Sequence, residues 1–255
     1  MMYFRDYRDI IYKFGNEDYS VGFQDLSTYV DVIDEVKSNS SFYLTTHIPE
    51  GYRPDQFSYR LYGTPLYYWT FFLLNDTLRE SGWPLSNEEL MEKAKHDYPN
   101  QVINVRGSFE FRLNGRVIDS MFLPGRTVTD GTASGVVVHR NLDLGQIVVK
   151  KTTAADFTAG NNLTGIVGTR TEDDSILIHS VDVSEFNAAH HYIDGNKNLV
   201  DIDPTSTTGA ANLTEVTIME ELSTQNELLR EIRVLTESSI GQIVSAYKQA
   251  VRSTI

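Results

Sequence analysis

The chain contains no cysteine, and this one absence removes disulfides, thiolate zinc sites and cysteine nucleophiles together. It fits a reducing cytoplasm. Long apolar runs are missing too: the longest, "PLYYWTFFLL", is far too short to span a bilayer. The start, "MMYFRDYRDIIYKFG", has no extended apolar core before a small-residue cleavage site, so it does not read as a secretory signal. Basic side chains are scarce. Against 22 Lys and Arg stand 35 Asp and Glu, giving a formal charge of −13 and a pI near 4.8. Such a surface repels phosphate, so neither nucleic acid nor membrane is an expected partner. Solubility accounts for the acidity.

What is present describes an ordinary globular protein. Its 255 residues are 40% hydrophobic and 22% charged. That length suits two modest domains, or one with attachments, and buries about 70–75% of the unfolded surface.

Four stretches follow. Residues 1–41 hold short mixed patterns, read as a brief strand and a short helix. Within 42–107, "FYLTTHI" alternates as a half-buried strand. Pro54 suits the first position of a helix carrying Phe57, Leu61 and Tyr62, and Gly63 is its natural stop. Pro65 opens a second helix, with Leu66, Trp69, Phe72 and Leu73 on a broad apolar face and Asn75 at its end. This is a strand–helix–helix unit of the kind that closes with a second strand.

Residues 108–186 turn to β. Asn114-Gly115 between alternating runs is a strong hairpin signal. Phe122, Gly125, Val128 and Thr129 reappear as Phe157, Gly160, Leu163 and Thr164, a repeat that points to a duplicated unit in a small all-β barrel or sandwich. Residues 187–255 read as a connector and an amphipathic helical tail. Thr217 and Glu220 have capping-box spacing, "REIRVL" reads as a short strand between two helices, and Ile240, Ile243, Val244, Tyr247 and Val251 repeat at helical spacing.

No catalytic constellation emerges. No serine lies in a Gly-x-Ser-x-Gly elbow, no phosphate loop ends in Lys-Ser/Thr, and the carboxylates are scattered. His190-His191 with Asp194 are not assigned as metal ligands, because adjacent histidines on a strand point different ways and no third ligand sits at convincing spacing. The stretch "DGNKNLVDIDPT" fails as a calcium loop, with Leu199 and Thr205 where glycine and glutamate are required. An Asp-Gly turn explains it. No cofactor is expected.

Residues 51–75 hold five tyrosines and one of the two tryptophans. Periodicity favours the core of a small domain over a sugar-stacking site. The motifs Gly51-Tyr52-Arg53-Pro54, Phe57-Ser58-Tyr59-Arg60-Leu61-Tyr62-Gly63, Trp69 and Asn75 resemble a LysM domain, the small βααβ module often found binding peptidoglycan or chitin. The turn departs from that pattern, with Tyr-Arg-Pro in place of Asp-Thr-Leu. A narrower likeness absorbs the departure. "IPEGYRPDQFSYRLYGTPLYYWTFFLLND", then "WPLSNEEL", His190-His191-Tyr192 with Asp194-Gly195, and Asn226 to Val251 together resemble the LysM-like baseplate wedge subunit of contractile-tailed bacteriophages. The likeness spans roughly 1–107 and 187–255, which makes 108–186 look like an insertion.

The resemblance implies a structural virion protein of the tail baseplate, made in the host cytoplasm, that clips neighbouring wedge subunits together by surface burial and without chemistry. A glycan-binding LysM module is the alternative. The implied fold is α+β: a LysM-like βααβ module, an inserted β domain and a helical tail. Tyr52, Arg53, Tyr59, Tyr67, Ile243 and Tyr247 are the expected partner-binding residues. Phe57, Leu61, Tyr62, Gly63, Trp69, Leu73, Asn75 and Trp83 are the expected core of the module.

Overall fold

The computed structural model describes residues 9–13, 15, 19–24, 32–105, 122–166, 175–204, 206 and 210–253. The Asn114-Gly115 hairpin lies outside them. The chain opens with an antiparallel pair, β1 (Asp9–Tyr12) and β2 (Val21–Gln24), then α1 (Val32–Ser38) and β3 (Tyr43–His47). Next come α2 (Pro54–Tyr62), α3 (Trp69–Leu74), α4 (Asp76–Ser81) and α5 (Asn87–Asp97). Pro54 is the first residue of α2, and Gly63 ends it in the left-handed region at φ 68°. Pro65 opens a 3-10 turn (Pro65–Tyr67) ahead of α3, so the expected second helix is broken into two pieces.

Strands then dominate: β4 (Gln101–Val105), β5 (Thr127–Thr129), β6 (Ser134–Asn141), β7 (Gln146–Lys151), β8 (Asn162–Ile166) and β9 (Ser175–Asp182). After them run β10 (Ala189–Ile193), β11 (Leu199–Val200) and β12 (Thr214–Thr217), which form a three-stranded sheet. The chain finishes with α6 (Ile218–Leu228), β13 (Glu231–Leu235) and α7 (Glu237–Ser253). No described helix is long and apolar enough to cross a membrane.

The fold is therefore mixed helix and strand, and its contacts divide into two compact units, Met1–Ser86 with Gln225–Ile255, and Asn87–Thr224. In the first, β3 pairs antiparallel with β13 from Tyr43↔Leu235 to His47↔Glu231. The strand that closes the strand–helix–helix unit thus comes from the far end of the chain. Ile48, Phe57, Phe71, Leu78, Ile232 and Val234 form one buried cluster behind this pair. Val36, Trp69, Leu74, Leu235 and the inner face of α7 form another.

In the second unit β4, β7, β6, β5, β8 and β9 close a six-stranded barrel. The strand β4, which falls within the 42–107 stretch of the sequence, is one of its staves. The repeat explains the closure. Phe122 and Phe157 are buried in one core with Val128 and Leu163. Gly125 and Gly160, at φ 85° and 89°, each donate a backbone N–H across to the next strand, to the Val137 and Ile178 carbonyls at 2.8 and 2.9 Å. The two copies meet where β5 pairs with β8, Thr129 opposite Thr164.

A Cβ at either glycine would meet nothing within 4 Å, so the cost of adding one is conformational alone. Gly125→Ala and Gly160→Ala are each expected to lower barrel stability by about 1–2 kcal/mol, the left-handed penalty of an L residue. Chemical denaturation measures it. Unequal losses would break the equivalence of the two copies.

Candidate functional site

The aromatic module is fixed from beneath. The Trp83 indole N–H donates to the Tyr52 carbonyl at 2.7 Å, and its ring packs on Phe57, Phe71 and Phe72 with centroids 5.9–6.2 Å apart. Tyr52 meets Phe57 edge-on, and the Arg60 guanidinium lies 5.5 Å from its ring centre. Asn75 ties the helices to the closing strand: its amide donates to the Phe71 and Arg233 carbonyls and accepts from the Arg233 N–H, all at 2.8 Å. Tyr62 is packed between clusters and donates to the Leu235 carbonyl at 3.0 Å, while burial pushes its phenol well up.

The residues singled out from the sequence divide between core and surface. Phe57, Trp69 and Asn75 are buried, and Leu61, Tyr62, Leu73 and Trp83 are half-buried against the same clusters. Gly63 is exposed and serves through its backbone. Tyr52 and Tyr59 line one open groove of about 590 Å³ with Glu50, Asp55, Gln56 and Arg60. Tyr59 is 63% exposed, and Arg53 reaches out beside it to pair with Asp55 at 3.2 Å. Tyr67 is half-buried, edge-on to Tyr62, and does not line the groove.

Ile243 and Tyr247 require a correction. They were expected to wait for a partner, but both are buried in their own chain, with the Tyr247 ring 5.3 Å from Trp69. The apolar stripe of α7 is already covered. Its spacing dictated that something must cover it, and the first unit does.

Sequence reading missed Asn226 and Arg230. The Asn226 amide accepts from the Leu85 N–H at 2.8 Å and donates to the Leu85 carbonyl at 2.9 Å. Arg230, only 3% exposed, donates to the same carbonyl at 2.9 Å. Its Nε lies 2.9 Å from Glu227 Oε1, an ion contact whose angle falls short of a hydrogen bond. No local pattern marks these residues, because their partner lies about 140 positions away.

The second unit holds a polar cavity of about 300 Å³, lined by Asn104, His179, Asp182, Tyr192, Asp203 and Glu215 among others. Burial pushes the Glu215 carboxyl up, and the charges of Asp182 and Glu220 add to it. Burial also raises the Tyr192 phenol, helped by Glu215 and Asp182. Asn104 caps Asp182 at 2.7 Å. The cavity is acidic, with Asp182, Asp203 and Glu215 in its lining.

Residues 22–117 match the family model described as base plate wedge protein 53 (Phage_gp53). Over that stretch the chain is similar to phage baseplate wedge proteins. The match takes in α1 to β4, including the Tyr52–Tyr59 groove, and stops before the rest of the barrel. A comparison with curated proteins finds no match. The name of that family places its members in a phage baseplate wedge.

Proposed function

We propose that the chain clips neighbouring wedge subunits together, docking through the face that carries Tyr52, Arg53 and Tyr59, with Tyr67 at its margin. The unit around it reads as a LysM-like βααβ module whose closing strand is β13, and the barrel reads as an insertion into that module. The protein is made in the host cytoplasm and acts by surface burial, without catalysis. One observation carries this reading. Within the family-matched residues, an exposed aromatic and charged rim stands on a turn held rigid by Trp83 and by the Pro54 start of α2. Aromatic and arginine side chains on a rigid support are what dominate protein interfaces.

Glycan binding is less well supported by the same turn. Pro54 has no N–H, the Arg53 N–H already donates to Gln56 Oε1, and the Tyr52 N–H donates to the Pro49 carbonyl. Two backbone donors of the turn are thus used internally, and a third is missing at the proline.

The test is co-expression of the Arg53→Glu, Tyr59→Asp double variant with the other wedge proteins, followed by size-exclusion chromatography. Both side chains are exposed, so the fold should survive with an unchanged melting curve. Co-elution should be lost, because the changes place charge in an interface at a cost of several kcal/mol. Full co-elution at normal stoichiometry would end the proposal for this face.

A further inference from the structure

The pair His190-His191 sits on β10 where pairing with β12 shifts register: Ala189 faces Thr217, while His191 faces Val216. His190 is therefore the extra residue of a β-bulge. In a regular strand, neighbouring side chains point to opposite faces, the reason such a pair makes a poor chelate. A bulge sets two residues against one and breaks that alternation. Here it turns both imidazoles together, ring centres 5.1 Å apart and the two Nδ1 atoms at 2.8 Å.

The third donor comes from α6. The Ile218 N–H donates to the Ala188 carbonyl at 3.0 Å, which stitches the start of the helix to β10. Thr217 and Glu220 complete a capping box, with the Thr217 N–H on Glu220 Oε2 at 2.8 Å and the Glu220 N–H on Thr217 Oγ1 at 3.2 Å. Thus fixed, the first turn brings a Glu221 carboxylate oxygen and one ring nitrogen of each histidine within 4.8 Å of one another. His191 and Glu221 are half-buried and His190 is exposed, so an ion can enter from solvent.

We propose that His190, His191 and Glu221 bind one divalent transition-metal ion of the zinc class. Two imidazole nitrogens and a carboxylate form a borderline donor set that suits zinc better than magnesium or calcium. A tetrahedral ion with bonds of about 2.0–2.1 Å sets its donors about 3.3 Å apart, so the two Nδ1 atoms part by about half an ångström while the Glu221 oxygen closes by up to about 1.5 Å. The hydrogen bond between the rings gives way to two metal–nitrogen bonds, and its proton moves to the far nitrogen of the same ring. Three protein ligands leave a fourth position to water. The ion pins β10 to the first turn of α6.

The full-length chain is titrated with Zn²⁺ by calorimetry in excess Mg²⁺, which occupies oxygen-only sites on this acidic surface. One Zn²⁺ per chain is expected. His191→Ala and Glu221→Gln should each weaken it by about 100-fold or more, beyond the about 10–100-fold of outer-shell changes. Bound Co²⁺ should show the intensified visible absorption of a low-coordinate site, and each variant should lose it. Absence of stoichiometric Zn²⁺ binding by the folded wild-type chain overturns the site. So does unchanged affinity in both variants, which would mean that the ion is held elsewhere.

Discussion

Removal of residues 237–255 is expected to unfold the first unit. The truncation strips away Ile240, Ile243, Val244, Tyr247 and Val251, all buried, and lays bare Val36, Trp69, Leu74 and Leu235. At about 1.5–3 kcal/mol for each large apolar side chain, the loss is roughly 7–15 kcal/mol. A whole domain is stable by only about 5–15 kcal/mol. The truncated chain should lose near-UV circular dichroism from Trp69 and its neighbours, expose apolar surface to dye and aggregate. A retained cooperative transition for this unit would refute the packing described. Tyr247→Asp should act in the same direction, because it sets a charge against Trp69.

Asn75→Ala should cost about 2–5 kcal/mol. The amide makes three hydrogen bonds to backbone groups, two of them to Arg233 on β13. Alanine leaves the part-buried Arg233 N–H and carbonyl without these partners, at about 1–3 kcal/mol for each group shielded from water. Asn75→Asp is expected to be no better, since its carboxylate would face the carbonyls of Phe71 and Arg233. Urea unfolding gives the number. A loss below about 1 kcal/mol would show that water or relaxation replaces the bonds.

Local signals were legible in the sequence because their causes are local. Pro54 and Gly63 bound α2, Thr217 and Glu220 cap α6, and the Asp194-Gly195 turn joins β10 to β11 with Asp194 accepting from the Asn196 and Asn198 N–H groups. The Phe-x-x-Gly repeat fixed two equivalent corners of the barrel, because a left-handed glycine and a buried ring recur at one offset. Pairing partners were not legible. Nothing near "FYLTTHI" says that its partner is Glu231–Leu235, since an alternating strand specifies a face and not a neighbour. The stripe of α7 likewise states that it must be covered, not by what. The bulge at His190 is a property of two strands together, so reasoning from one strand alone set the histidines apart.

The pairing of β3 with β13 also imposes an order of events in time. At about 5–20 residues per second, the roughly 190 residues between Tyr43 and Leu235 take about 10–40 s to synthesise. Throughout that interval Phe57 and Phe71 lack the Ile232 and Val234 side chains that cover them. The barrel strands, all encoded in between, can close first. A chain ended after β9 but before β13 carries all six barrel strands joined to a segment whose aromatic core is left uncovered. The strand order thus keeps the core of the first unit incomplete until elongation has passed β13.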